Sequence, residues 1–240
     1  MTELLTEAQA MTRLQLSPYA EQRSKWPAEG KHILAQFDDE TVTVYQAYNP
    51  FIADYAVEHQ RFGGDKFSFN RMSWIKTNFT WMMCRCGWAS KKNQERVLAL
   101  RLRRCFFDRL LGEAVHSSYQ EIYGTREAWK AAIGETSVVM QWDPDHVPFT
   151  NDTLPRRAIQ LGVRGDLLRE MCTDALGSVE DVTDLVHTLD ERCRNDVERL
   201  CTPTEDVYPV ADDAVRFRLL FSHACGKNAE DAEQESEESC

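Results

Sequence analysis

RVLALRLRRCFFDRLLGEAV, residues 96–115, changes its period in mid-stretch. Over 96–104 the residues alternate. Val97, Ala99, Arg101 and Arg103 fall on one side, and Leu98, Leu100 and Leu102 on the other, which is the pattern of a strand with one deeply buried face. From Phe106 the apolar residues move to helical spacing. Upstream, TVTVYQA (41–47) reads as a second strand, rich in β-branched residues. Asn49-Pro50 opens a helix, with Asn49 as N-cap and Pro50 in the first turn, and Gly63-Gly64 closes it. RMSWIK (71–76) is a further strand, followed by a short helix through FTWMMCRCGW, capped by Asn78 and closed by Gly87.

Downstream the pattern predicts a short helix over 125–133, a strand SVVMQW (137–142) stopped by Asp143-Pro144, and a strand AIQLGV (158–163). After Arg164-Gly165, Asp166 caps a helix through Ala175. A last helix spans 184–201, with Leu185, Leu189, Cys193, Val197 and Leu200 on one face. Strands and helices follow one another without regular βαβ alternation, and no internal repeat occurs. The expected fold is α+β, a single domain with a mixed, mostly antiparallel sheet flanked by helices.

The chain has 240 residues, 42% hydrophobic and 28% charged, with a formal net charge of −11. These values exclude collagen-like, wholly disordered and disulfide-scaffold classes. We expect three parts: an N-terminal arm over 1–25, a globular body over 26–222, and a disordered acidic tail over 223–240. The tail carries six acids against Lys227 and no aromatic or branched apolar residue. No apolar run approaches the roughly 18 residues of a membrane span. The N-terminus lacks the apolar core of a secretory signal. Eight scattered cysteines then read as reduced thiols in a cytoplasmic protein, and C-x-C at Cys84 and Cys86 is too short for a zinc knuckle, so no metal is expected.

No GxGxxG, P-loop, GxSxG or HExxH motif is present. Asp143, Asp145 and His146 cluster in WDPDH, which also reads as plain turn chemistry. Two other clusters suggest a ligand. YQAYN (45–49) places Tyr45, Gln46, Tyr48 and Asn49 where a strand meets a helix N-terminus, a junction that suits an anion. FNRMSWIKTNFTW (69–81) combines Arg71 and Lys76 with Trp74, Phe79 and Trp81: charge for phosphate, rings for a base. Snorkelling cations around a tryptophan core would give the same string. Lys91 and Lys92 belong to a basic segment over 85–109, and Arg156-Arg157 precede a strand. These four are further candidate phosphate or nucleic-acid contacts.

The strings TVTVYQAYNPFIADYAV, FSFNRMSWIKTNFTWMMCRCGW, QERVLALRLRR, SVVMQWDPDH and LPRRAIQLGVRG, in that order, resemble the domain-of-unknown-function 4291 family over roughly Trp26 to Phe217. In outline the body is also similar to ADP-ribosyltransferases. That likeness implies NAD as substrate, with Tyr45-Gln46-Ala47-Tyr48 gripping it, Arg71 and Lys76 on the pyrophosphate, and rings of Tyr45, Tyr48 or Trp74 on nicotinamide or adenine. Gln141 and Asp143 would be the catalytic pair, Asp143 stabilising positive charge on the ribose. The first strand end carries Tyr and Gln where those enzymes have Arg or His, and the acid is Asp where they have Glu. The acceptor of such a transfer is a nucleic acid, a protein or a small molecule; the expected partner is a phosphate-bearing small molecule or a nucleic acid, with no membrane. The alternatives are a non-catalytic nucleotide or nucleic-acid binding module, and a protein-interaction domain using exposed Trp74, Trp81 and Trp88.

Overall fold

The computed structural model describes residues 2–222, so the acidic tail expected over 223–240 lies outside the described residues. The helices are α1 (Thr2–Ala10), α2 (Tyr19–Lys25), α3 (Pro50–His59), α4 (Phe79–Cys86), α5 (Arg104–Glu113), α6 (Arg126–Glu135), α7 (Gly165–Met171), α8 (Thr183–Cys193) and α9 (Asp213–Arg218). The strands are β1 (Leu16–Pro18), β2 (Gly30–Lys31), β3 (Leu34–Ala35), β4 (Thr41–Tyr48), β5 (Ser73–Lys76) and β6 (Arg96–Arg103). They continue with β7 (Val115–His116), β8 (Val138–His146), β9 (Thr153–Val163), β10 (Leu176–Asp181), β11 (Cys201–Pro203) and β12 (Asp206–Val207). Among the described residues no helix is long and apolar enough to cross a membrane.

The fold is α+β, built on an eight-stranded sheet in the order β10-β6-β4-β5-β9-β8-β7, with β2 alongside β9. The pairing is antiparallel except for β7 with β8 and β2 with β9. The alternation in β6 sorts the core. Leu98, Leu100 and Leu102 join Val42 and Val44 on the face covered by α3, α5 and α7. Val97 and Ala99 join Tyr45 on the other face, under α4, α8 and α1. Arg101 and Arg103 share that second face but are exposed, so one face of one strand is buried at one end and wet at the other.

The caps at the cleft side of the sheet follow the local sequence. Asn49 Oδ1 accepts from Ile52 N at 3.1 Å at the start of α3. Asn78 Oδ1 accepts from Trp81 N at 2.7 Å at the start of α4, and Gly87 closes α4 with φ +60°, a left-handed conformation that glycine adopts without a Cβ penalty.

Several boundaries differ from expectation. Residues 2–25 are not an arm: Leu4 and Ala8 are buried in the second core, and β1 pairs with β11. The helix expected over 184–201 ends at Cys193, because Cys201–Pro203 are taken up by that pairing. Asp143-Pro144 does not stop its strand. β8 runs on to His146 past a bulge at Pro144/Asp145, held by its antiparallel partner β9.

Candidate functional site

The sheet splits between β4 and β5. β4 stays paired with β6 as far as Tyr48–Arg96, and β5 stays paired with β9 as far as Ser73–Val163. Between them β4 and β5 meet only at Tyr45–Lys76. Beyond that point side chains replace the backbone ladder. Gln46 Nε2 donates to Ser73 Oγ at 2.7 Å and to the Trp74 carbonyl at 3.1 Å, and the Tyr48 hydroxyl lies 2.7 Å from Ser73 Oγ. Polar side chains at the end of β4 and the start of β5 thus tie the two strands together where no further backbone pairing joins them.

A cavity of about 580 Å³ fills the wedge. Gln46, Tyr48 and Asn49 line it from β4 and the start of α3; Arg71, Trp74 and Lys76 line it from β5 and its approach. Lys66 comes from the loop after α3, Met82 and Arg85 from α4, and Asn93 and Gln94 from the loop before β6. Among the described residues four cations (Lys66, Arg71, Lys76, Arg85) and no acid line this cavity, in a chain whose 39 acidic residues outnumber its 28 Lys and Arg. Among the described residues none of the four has a carboxylate within 4.0 Å.

Lys76 is the least ordinary of them. Its side chain is 6% exposed, and its ammonium has no hydrogen-bond partner among the described residues. Burial, reinforced by the Arg85 charge, pulls its pKa down to about 8, with Asp143 opposing. The stem is buried while the ammonium opens on the cavity with no protein partner, a position that suits an anionic guest.

Gly162 makes room for the aromatic wall. It pairs with Trp74, and a Cβ there would stand 2.5 Å from Met72 Sδ and 2.9 Å from the Trp74 ring. Gly162→Ala is expected to push Met72 and Trp74 into the cavity, lowering stability by about 1–3 kcal/mol and weakening any ligand held against Trp74 by about tenfold. Tryptophan fluorescence with calorimetric titration reads both effects.

The remaining candidates are distributed differently. Tyr45 is 0% exposed and packs edge-on against Phe79 at 5.5 Å, so its ring belongs to the core and not to the cavity wall. Asn49 reaches the cavity with its carboxamide oxygen spent on the helix cap. Gln141 and Asp143 line a second cavity of about 470 Å³ at the outer edge of β8, together with Lys31, His116 and Arg157. Gln160 ties these residues to the first cleft. It is the register neighbour of both Lys76 and Gln141, and its Nε2 donates to Gln141 Oε1 and to Asp143 Oδ2, each at 2.6 Å. Burial raises the Asp143 pKa, while the Gln160 hydrogen bond and the charges of Arg85, Lys76 and Arg157 work against the rise.

Arg156 is not a ligand contact. It is buried in an ion pair with Asp145, with side chains 4% and 1% exposed, whereas its neighbour Arg157 points the opposite way and is exposed. Lys91 Nζ donates to the carbonyls of Cys84 and Arg85 at 3.3 and 2.7 Å, at the C-terminus of α4; neither it nor the exposed Lys92 lines either cavity. Trp81 and Trp88 are buried, so they offer no docking surface, and Trp74 is half-buried in the cleft. Among the described residues no three His, Cys, Asp or Glu side chains are grouped to hold a metal ion. Lys66, Gln160 and Gly162 carry no local signal that marks them as site residues. Arg85 stands in the basic segment, but only the helix packing tells it from Lys91.

No curated protein matches the chain. A family profile described as "Domain of unknown function (DUF4291)" matches residues 32–208, which takes in β4 through β10 and every lining residue of the cleft; the chain belongs to that family.

Proposed function

We propose that the chain binds an NAD-like nucleotide in the cleft between β4 and β5. The observation that carries this reading is the wall of four unpaired cations and no acid in a strongly acidic protein. Such a wall favours a multiply charged anion and disfavours neutral or cationic guests. Arg71, Lys76 and Arg85 hold the pyrophosphate in this reading, Arg by its fork and Lys as a point charge. Trp74 and Tyr48 offer ring surface to a base or nicotinamide. The volume, about 580 Å³, is that of an ordinary ligand pocket.

A second step is supported by Gln160, which donates to Asp143 Oδ2 at 2.6 Å and stands beside Lys76 in register. When nicotinamide leaves and an acceptor nucleophile bonds to the same ribose carbon, positive charge develops on the sugar in between, and Asp143, which lines the neighbouring cavity and is joined to the cleft through Gln160, is the carboxylate to stabilise it. This makes the protein an ADP-ribosyltransferase-like enzyme, with Asp143 as the acid and Gln141 and Gln160 as its positioning residues.

Thermal denaturation with NAD, ATP and short RNA tests the binding. NAD at 100 times its Kd is expected to add about 2.7 kcal/mol of stability. Chromatographic detection of free nicotinamide tests the reaction, which Asp143→Asn is expected to abolish without lowering Tm. No response to NAD, with steeply salt-dependent RNA binding instead, would assign the cleft to a non-catalytic nucleic-acid module.

A further inference from the structure

The second cavity lies where the sheet runs out of partners. β7 ends at His116, opposite Met140, so Gln141, Trp142 and Asp143 have no strand on that side of β8. On the far side of β9, β2 is paired so that Lys31 stands beside Arg157 in register. Like charges directly opposite on neighbouring strands repel. Neither cation has a carboxylate within 4.0 Å among the described residues. Both line the same cavity of about 470 Å³, whose one acid is Asp143 and whose hydroxyls are those of Ser117 and Ser118. Trp142 lines it too, its ring fixed by Nε1 donating to the Leu219 carbonyl at 2.8 Å and by edge-on packing against Phe221 at 5.2 Å.

Two cations forced together, hydroxyl donors beside them and an anchored indole surface form a site for one phosphate with a base attached. Burial and the Arg157 charge also pull the Lys31 pKa down, as expected where a counter-anion is missing.

We propose that this second cavity binds a nucleotide through its 5′-phosphate, with Lys31 and Arg157 on the phosphate and Trp142 under the base. The inference goes beyond the cleft between β4 and β5. Its binding stands without that reading.

The test uses the full chain with 5′-AMP, a 5′-phosphorylated short oligoribonucleotide and adenosine as calorimetric probes, in a Lys76→Met background that removes the first cleft's buried cation. Both phosphorylated probes or one of them should bind, which tells a free nucleotide from a strand end, and adenosine should not. Adding Lys31→Ala or Arg157→Gln should cut that affinity at least tenfold. Arg157 is exposed and Lys31 only half-buried, so both variants are expected to fold, with Tm as the control. Absence of any phosphate-dependent binding in the Lys76→Met background overturns the proposal, as does binding indifferent to both substitutions. If the wild-type chain ignores NAD while AMP binding still depends on Lys31 and Arg157, the first reading fails and this one stands.

Discussion

Arg156→Ala is expected to destabilise the fold by about 3–5 kcal/mol, a loss on the order of ten degrees in Tm. The guanidinium donates from Nε and Nη2 to Asp145 Oδ2 at 2.9 and 2.6 Å, and from Nη1 to the Pro27 carbonyl at 2.8 Å. It also lies over the Trp26 ring, 5.2 Å from the centroid. Alanine removes all of these and leaves the Asp145 carboxylate buried, its other oxygen held only by the His146 N–H at 2.8 Å. Glu205 sharpens the effect. It is a buried carboxyl that accepts from Phe79 N at 2.6 Å and Asn78 Nδ2 at 2.8 Å, and burial, with the Asp145 charge, holds its pKa well above the usual range. Arg156 is one of the groups that limits that rise. Without it the Glu205 carboxyl favours its protonated form in the fold still more. A carboxyl pKa raised by folding stabilises below its unfolded value and loses that contribution as pH rises through the folded value. The deficit of Arg156→Ala should therefore be larger at pH 8 than at pH 5, by denaturant titration at both. Replacing the pair together, Asp145→Leu with Arg156→Met, should cost less than Arg156→Ala alone. A double variant as unstable as the single would mean that the damage is lost packing on Trp26 and not a stranded charge.

Lys76→Met is expected to act in opposite directions on stability and on binding. Folding moves the Lys76 pKa from its ordinary 10.5 to about 8. Below pH 8 the ammonium is charged in both states and the fold bears its desolvation. Between about pH 8 and 10.5 the unfolded chain binds the extra proton, so stability rises with pH across that window. Methionine has the length and no charge. The variant should be more stable than the wild type by about 2–4 kcal/mol at pH 7, an advantage that shrinks as pH climbs above 8 and is gone near 10.5. Its affinity for NAD should fall by about ten- to a hundredfold, the worth of a hydrogen bond to a charged group. A gain in stability coupled to a loss of binding is the mark of a residue kept for a ligand. A lower Tm for Lys76→Met would instead make the lysine part of the fold's own support.

Elements with a local signal are legible in the sequence, although α3 ends at His59 with Gln60 in the left-handed conformation, short of the Gly63-Gly64 expected to close it. β6 and α5 show their change of period, α3 its Asn49-Pro50 start, and α4 its Asn78 and Gly87 caps. Of the strands the sequence pattern does not mark, β1, β2, β3, β7, β11 and β12 have two or three residues each, too few for a period, and exist only because a remote strand or edge is there to pair with; β10 has six, but LGSVED carries two acids and a glycine and alternates poorly, and it becomes a strand by pairing with β6. WDPDH shows the contest directly. Asp-Pro favours a turn, but β9 supplies partners as far as His146, and a bulge absorbs the misfit.

The site divides in the same way. Cation-and-ring chemistry over 69–81 and the polar strand end over 45–49 are properties of residue type, and Gln46, Tyr48, Arg71, Trp74 and Lys76 do share one cavity. That Tyr45 is core, that Arg156 is an ion-pair partner while Arg157 faces a cavity, and that Asp143 belongs to a second pocket are matters of which way a pleat turns and what packs above it. Residue type and local period set which segments became strand or helix, because capping and alternation act within a few residues. Where the sheet splits, and therefore where four unpaired cations meet, was decided by β4 holding to β6 and β5 to β9, pairings between segments tens of residues apart that no local pattern encodes.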